Sequence, residues 1–251
     1  MGSYIQRLRL AGSRIAVIAL CLCGGAANAD DYDWTKDSPA CGYPSDPEAA
    51  IVACSRIISA AGVPAENLSY FYLYRGRAFA RLQRWDEAHK DFSLAVERNI
   101  QDQDRRASAE FDLQVVRVKL GQAKAAREGF WKFAGDADTG RASSAVWAMT
   151  ADPKVGETDF RRLVEAARAL VARGEAPVLT HGVLGLALAA AGKPNEAVAE
   201  IMKAHDIVAA YEVNSDLEKD LRAHSLKTME RNIEMIKAGR PIITDVSEFL
   251  D

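Results

Sequence analysis

The chain has 251 residues, of which 49% are hydrophobic and 27% are charged. This balance is typical of a globular protein and argues against a disordered chain, a collagen-like repeat or a polytopic membrane protein. The 32 basic residues are set against 35 acidic ones, which gives a formal net charge of −3. Broad nucleic-acid binding depends on neutralising phosphates, so we expect no nucleic-acid partner for this mildly acidic chain.

The first 29 residues have the pattern of a secretory signal peptide. An acid-free start with three arginines precedes the apolar run Ile15–Cys23, and Ala27-Asn28-Ala29 then fits a small-x-small cleavage site. Cleavage after Ala29 changes the net charge from −3 to −6, because it removes three arginines and no acid. The alternative is an uncleaved anchor, but the apolar run is too short to cross a bilayer. The pattern predicts a periplasmic or secreted protein that uses the general secretory route and keeps no stable membrane span.

Two of the four cysteines lie within the predicted signal, so the exported chain keeps only Cys41 and Cys54. The other two each follow a leucine, where a lipoprotein signal has a small residue, so we do not predict lipidation. In an oxidising compartment an even pair predicts a Cys41–Cys54 disulfide, and the alternative is two unpaired buried thiols. No histidine lies near the pair, and we expect no metal site and no cofactor.

The exported sequence shows helical periodicity without sustained alternation, which predicts an all-α fold. Helices are expected at about 47–60, 67–82, 86–98, 105–120, 123–135, 141–149, 159–173, 178–191, 195–212 and 215–238. Ser45-Asp46-Pro47-Glu48 and Ser215-Asp216-Leu217-Glu218 are clear helix starts. Because the connections are very short, neighbouring helices must run antiparallel.

Small and aromatic residues recur along these helices at fixed offsets. Between Ser69 and Ile100 they are Tyr72, Gly76, Phe79, Ala88, Phe92 and Ala95, at offsets 4, 8, 11, 20, 24 and 27. Between Thr180 and Ala204 the matching residues are Gly185, Leu188, Ala197, Ile201 and Ala204. We expect the small residues where two helices cross and the large ones around them. The pattern resembles the tetratricopeptide repeat, whose unit is a pair of antiparallel helices.

The resemblance is clearest over residues 69–102 and 178–211 and covers roughly residues 47–210. The unit between them is degenerate, because Gln114 stands where the glycine belongs. The resemblance implies a right-handed α-solenoid of antiparallel hairpins over residues 67–212. Residues 30–66 would then be an N-terminal leader and capping helix, and residues 213–251 a C-terminal capping helix and tail. The alternative fold is an ordinary antiparallel bundle with accidental spacing.

In this repeat architecture the first helix of each hairpin lines the concave face, which implies a set of candidate binding residues. They are Tyr70, Leu73, Tyr74, Arg77, Arg81, Phe111 and Lys119, with Asp112 and Val115 beside the last two. Both tyrosines and both arginines fall on one helical stripe. Aromatic and arginine side chains are enriched in binding hot spots. The alternative is that the tyrosines pack on the next hairpin and the arginines are only solvated.

The later hairpin places Leu179, Gly182, Val183 and Leu186 on the same face, so the groove changes from cationic and aromatic to apolar. Such a groove suits a peptide or an amphipathic helix. Some family members clamp a carboxy-terminal peptide with lysines and asparagines, but Leu73, Tyr74 and Arg77 hold those offsets here, so that clamp is not predicted.

No catalytic motif stands out in the sequence. We therefore expect an exported protein-interaction scaffold of the cell envelope, with an unknown protein or peptide partner, and not an enzyme. The alternatives are a helical ligand carrier or an envelope enzyme with a pocket between hairpins, and self-association through the last helix. The leader around Trp34 is either mobile or folded back onto the array, and the tail after Gly239 is either frayed or a binding strand.

Overall fold

The computed structural model describes residues 33–42, 46–98, 102–152 and 160–243. The predicted signal peptide, residues 1–29, and the end of the predicted tail, residues 244–251, lie outside the described residues. The described ranges contain eleven α-helices and no strand, which confirms the predicted all-α fold. The helices are α1 (Trp34–Gly42), α2 (Pro47–Ser59), α3 (Ala65–Arg81), α4 (Trp85–Glu97), α5 (Gln103–Lys119), α6 (Ala123–Phe133), α7 (Thr139–Ala151), α8 (Phe160–Ala172), α9 (Pro177–Ala190), α10 (Pro194–Ala210) and α11 (Asp216–Lys237).

Ten of these helices confirm the sequence prediction, with ends that differ by at most two residues. Side-chain caps fix the starts of α2, α5, α7 and α11. Asp46 and Asp102 accept hydrogen bonds from the first backbone N–H groups of α2 and α5, and Ser215 forms a reciprocal capping box with Glu218 at the start of α11. These bonds satisfy N–H groups that have no partner inside a helix.

Helix α1 was not predicted, because its sequence is short and contains Pro39. Tertiary contacts stabilise it. The Trp34 ring packs edge-on against Phe71 of α3, with ring centroids 5.7 Å apart. Of the two predicted alternatives for the leader, the structure shows the one that folds back onto the helices.

Each helix packs against the helices that precede and follow it in the chain. Further contacts join alternate helices, namely α1 with α3, α3 with α5, and α7 with α9. The hydrophobic core is therefore built progressively along the chain. One buried cluster extends from α3 to α11, and a second, smaller one lies at the N-terminal end.

Three of the turns between helices have the same geometry. Each contains one residue in the left-handed region, and these are Gln83, Gly121 and Gly192, with φ of 57°, 76° and 72°. The N–H of the next residue then donates to the carbonyl five positions earlier, over 2.9, 2.8 and 2.9 Å respectively. This bond is typical of a Schellman helix end. The α3–α4, α5–α6 and α9–α10 hairpins thus share one turn structure.

Two of these three hairpins close over a glycine in their first helix. A Cβ on Gly76 would lie 2.8 Å from the Phe92 ring, and one on Gly185 would lie 2.5 Å from Ile201. In the α5–α6 hairpin the arrangement is reversed. Gln114 of α5 packs directly on Gly129 of α6, where an added Cβ would collide with the Gln114 amide. In this hairpin the small residue lies on the second helix instead of the first, and the two helices still pack closely.

The repeat-pattern residues lie in the interior with one exception. The structure buries Gly76, Phe79, Ala88, Phe92, Ala95, Gly185, Leu188, Ala197, Ile201 and Ala204. Tyr72 is half-buried, because the guanidinium groups of Arg75 and Arg98 lie 5.6 and 5.3 Å from its ring centroid. Cation–π contacts of this kind hold an aromatic ring at a partly solvated boundary.

The smaller cluster surrounds Cys41 and Cys54, whose Sγ atoms lie at the disulfide-bonding distance of 2.03 Å, as predicted. Ala53, Ile57 and Phe71 complete its buried part. The bond joins the end of α1 to the middle of α2, so one short covalent loop holds the first two helices together.

Removal of this disulfide should loosen the N-terminal helices selectively. A Cys41→Ser/Cys54→Ser double variant is expected to destabilise α1 and α2 by about 3 kcal/mol, as closing a loop of this size does in the chain-entropy account. Hydrogen exchange followed by mass spectrometry should show faster exchange over 34–59 and unchanged exchange over 160–210. Uniform acceleration along the whole chain would contradict a separate N-terminal cluster.

Candidate functional site

Arg77, which belongs to the predicted stripe on α3, forms an ion pair with a residue of α5. Arg77 of α3 donates from Nε to Oδ2 of Asp112 on α5, over 2.7 Å. The Asp112 side chain is 4% exposed, whereas the Arg77 side chain is 38% exposed. Arg77 therefore covers a buried carboxylate and presents its outer edge to solvent.

A cavity of about 250 Å³ opens beside this pair. It lies between α3, α5 and α7, and five of its seven lining residues have polar or charged side chains: Arg77, Ser108, Asp112, Arg141 and Ser144, with Phe111 and Gly140 beside them. We call it the polar cavity. Its residues come from three consecutive odd-numbered helices, which are the first helices of successive hairpins.

The Asp112 carboxylate is held in an unfavourable environment. Burial raises its pKa, and the attraction and hydrogen bond of Arg77 offset only part of that effect. A buried carboxylate with incomplete compensation, placed in a cleft, is typical of a functional position and not of a stabilising one.

A second arginine–aspartate pair shows what a stabilising arrangement looks like in this fold. Arg75 donates from Nε and Nη2 to both oxygens of Asp91, over 2.7 and 2.8 Å, and from Nη1 to Ser55 Oγ over 3.0 Å. Hydrogen bonding to Asp91 raises the pKa of Arg75. This network joins α2, α3 and α4 and leaves little of the guanidinium for a ligand.

The two arginines of the polar cavity differ in how far their charge is neutralised. Arg141 lies 3.2 Å from Asp136, 3.4 Å from Asp104 and 3.7 Å from Asp138. Arg77 uses Nε alone, and its four terminal N–H groups make no hydrogen bond to the residues that the structure describes. Those groups form a fork that matches a carboxylate.

Several predicted concave residues have other surroundings. Leu73 is 1% exposed and Phe111 is 6% exposed, and Phe111 packs edge-on against Phe130 and Phe133. The prediction that they form an open binding surface is wrong, because α2, α4 and α5 pack around α3 at Leu73, and α6 covers the Phe111 ring. Phe111 still contributes one wall of the polar cavity.

The remaining predicted residues are dispersed. Tyr70 is half-buried beneath Arg105, whose guanidinium lies 4.9 Å from the ring centroid. Tyr74 packs in the cluster around the disulfide, and Lys119 lies 5.5 Å above the Trp85 ring of α4. Arg81 is exposed. Tyr70 thus packs against the next hairpin, as in the predicted alternative, whereas Tyr74 packs against the preceding N-terminal helices. Of the seven predicted residues, Arg77 and Phe111 line the polar cavity.

A second cavity, of about 280 Å³, lies between α7, α9, α10 and α11. Its apolar wall is formed by Trp147, Val178, Leu179, Gly182, Val183, Leu186, Ile201 and Met229. Its polar wall comes from α11 and consists of His224, Ser225, Thr228 and Asn232. We call it the apolar cavity. The four residues that the sequence placed on the concave side of the later hairpin all line it.

Helix α7 connects the two cavities. Gly140 and Ser144 line the polar cavity, and Trp147 lines the apolar one. Residues three and four apart share one face of a helix, so both cavities open on the same side of α7. The sequence leaves room for one further hairpin at about 141–173, but that segment has no recognisable repeat pattern, so none of these residues was among the predicted binding residues.

The last helix also exposes apolar side chains. Arg222 of α11 donates to the carbonyl of Tyr211 at the end of α10. The first turns of α11 precede this contact, and Leu217 and Leu221 there are 69% and 59% exposed. Met229 packs against the main core, and Ile233 and Ile236 are buried in it.

Within the described ranges, no cluster of three or more histidine, cysteine or acidic side chains has the arrangement of a metal site. None of the described helices has the length and hydropathy needed to span a membrane. Comparisons with protein-family models, with curated proteins and with solved structures found no match.

Proposed function

We propose that this chain is an exported, tetratricopeptide-like scaffold that binds a protein partner through the face formed by its odd-numbered helices. The observation that carries the proposal is the pairing of Arg77 with Asp112 at the base of the polar cavity. This pair joins the first helices of two hairpins, is incompletely satisfied, and presents an unused guanidinium edge on the proposed binding face.

Three structural features support the repeat architecture of the proposal. Three hairpins share one turn geometry, and each helix packs on its neighbours in the chain. In addition, α1 contacts α3, α3 contacts α5, and α7 contacts α9. These are the contacts that a right-handed solenoid of helical hairpins makes, with α1 and α2 as the N-terminal cap and α11 as the C-terminal cap. A bundle would instead bring distant helices around one shared core.

Export to the periplasm, or secretion, is part of the same proposal. It is supported by the signal-peptide pattern of residues 1–29 and by the Cys41–Cys54 pair at disulfide distance. Disulfides persist in oxidising compartments and are rare in the cytosol. We place the partner in the envelope of a bacterium with two membranes.

Site-specific photo-crosslinking tests the binding face. A benzophenone amino acid at Ser144, on the rim of the polar cavity, is expected to give one discrete protein adduct in intact source cells. The same amino acid at Lys90, an exposed residue of α4, is the matched control and should give no such adduct. Adding Arg77→Gln should weaken the Ser144 adduct, because the guanidinium edge is lost.

Two results would count against the scaffold. Equal labelling at both positions would mean that the odd-helix face is not the binding surface. A small molecule retained by the purified protein, with no protein adduct, would favour the second candidate function, a ligand carrier. The apolar cavity is the observation behind that candidate, since its volume approaches the lower end of small-molecule sites.

A further inference from the structure

We infer that the partner segment is an extended peptide that carries a carboxylate side chain and, three or more residues away, a tryptophan or tyrosine. The carboxylate would bind Arg77 in the polar cavity, and the aromatic ring would enter the apolar cavity. This inference rests on the proposed function and specifies the chemistry of its ligand.

The carboxylate site follows from the way Arg77 is held. Asp112 accepts from Nε and thereby fixes the plane of the guanidinium, and Nη1 and Nη2 remain at the cavity. Two parallel N–H groups bind a carboxylate bidentately, with a geometry that an ammonium group cannot reproduce. The hydroxyls of Ser108 and Ser144 line the same cavity and supply further hydrogen-bonding groups.

The aromatic site follows from the two unlike walls of the apolar cavity. Leucine, valine and isoleucine side chains form one wall, and the imidazole, hydroxyl and amide groups of α11 form the other. A ring with an apolar body and a polar edge matches both walls, and tryptophan and tyrosine are the side chains of that kind. A volume of about 280 Å³ is suited to one such side chain and is small for a drug-sized ligand.

Helix geometry gives the spacing of the two groups. Arg141 and Trp147, on α7, are six residues apart, which is about 9 Å along the helix axis. The two sites are therefore at least about 9 Å apart, a distance that an extended peptide spans in three or more residues at about 3.3 Å per residue.

Gly182 provides a variant that closes the apolar cavity without disturbing the fold. It lines that cavity, and an added Cβ would meet no atom within 4 Å. A Gly182→Phe side chain would therefore extend into the space reserved for the aromatic ring. Arg77→Gln removes the guanidinium fork, and Lys90→Gln on α4 is the matched control for loss of a surface cation.

Selection of random displayed dodecapeptides on the protein, produced from its full-length sequence, tests the inference. Wild-type protein should select peptides with Asp or Glu at one fixed spacing, of three or more positions, from Trp or Tyr. A selected peptide, measured by fluorescence polarisation, should bind Arg77→Gln and Gly182→Phe about tenfold more weakly or worse, as expected for loss of a hot-spot contact, and Lys90→Gln unchanged. Circular dichroism should show that each variant is folded.

The selections also separate the two recognition elements. Arg77→Gln should abolish only the acidic preference, and Gly182→Phe only the aromatic one. Failure to select any peptide, selection without these preferences, or equal binding by the variants would overturn the inference. If Ser144 still crosslinks to a partner in cells, the scaffold function stands and only the ligand chemistry is wrong; if it does not, both fail.

Discussion

Replacing Asp91 with alanine is expected to lower the free energy of unfolding by about 3–5 kcal/mol, because it removes one partner of a buried ion pair. The Arg75 guanidinium donates two hydrogen bonds to Asp91, and without them Ser55 would be its only hydrogen-bond acceptor among the described residues. The side chains are 19% and 2% exposed, so water cannot fully replace the lost carboxylate. Urea denaturation followed by tryptophan fluorescence measures the loss.

Asp112→Ala is the matched control, since it also removes a buried aspartate that is paired with an arginine. We expect a loss of about 1 kcal/mol or less, because the Arg77 side chain is 38% exposed and can be hydrated once its partner is gone. Equal losses for the two variants would contradict the distinction between a stabilising pair and a functional one.

The pH dependence of stability should report on the buried Asp112 carboxyl. Burial raises the pKa of Asp112 above 3.8, so the native state binds this proton more tightly than the unfolded state does. The contribution of Asp112 to stability is therefore largest at low pH and is lost as the pH rises from about 3.8 through the raised pKa. Asp112→Asn should remove this component.

Two glycines on α9, three residues apart, are expected to respond in opposite ways to alanine. Gly185→Ala should destabilise the protein by about 1–3 kcal/mol, because its Cβ would lie 2.5 Å from Ile201 and 3.1 Å from the carbonyl oxygen of Ala197. Gly182→Ala should stabilise it by about 0.5–1 kcal/mol, since the new methyl group enters open space and glycine is a poor helix former.

Thermal and urea unfolding of the two variants, measured side by side, provides the check. The pair has a built-in control, because both substitutions make the same chemical change in one helix. A destabilising Gly182→Ala would show that the apolar cavity is not open at that position. A neutral Gly185→Ala would show that α9 and α10 do not approach as closely as the structure has them.

The helices could be predicted from the sequence because their determinants are local. Periodicity, the caps at Asp46 and Ser215, and the turn glycines act within a few residues of each helix end. Helix α1 could not, because a nine-residue segment with an internal proline depends on the disulfide and on Phe71, which lies 37 positions after Trp34.

The candidate site was only partly predictable, for a related reason. The stripe on α3 includes Arg77, which lines the polar cavity, but which of its residues reach the surface depends on the neighbouring helices. Leu73 and Arg77 lie one turn apart on that stripe, and packing buries the first and leaves the second accessible. The pairing of Arg77 with Asp112 joins residues 35 positions apart and has no local signal.

The contact between Gln114 and Gly129 has a consequence for how such a sequence can change over time. The large residue lies on the first helix and the small one on the second, the reverse of the α3–α4 and α9–α10 hairpins, and both partners belong to one hairpin. A hairpin of this kind can compensate a substitution internally, without a change in the other hairpins. A protein built in this way can lose the sequence pattern of its hairpins one at a time while the packing of its helices stays the same.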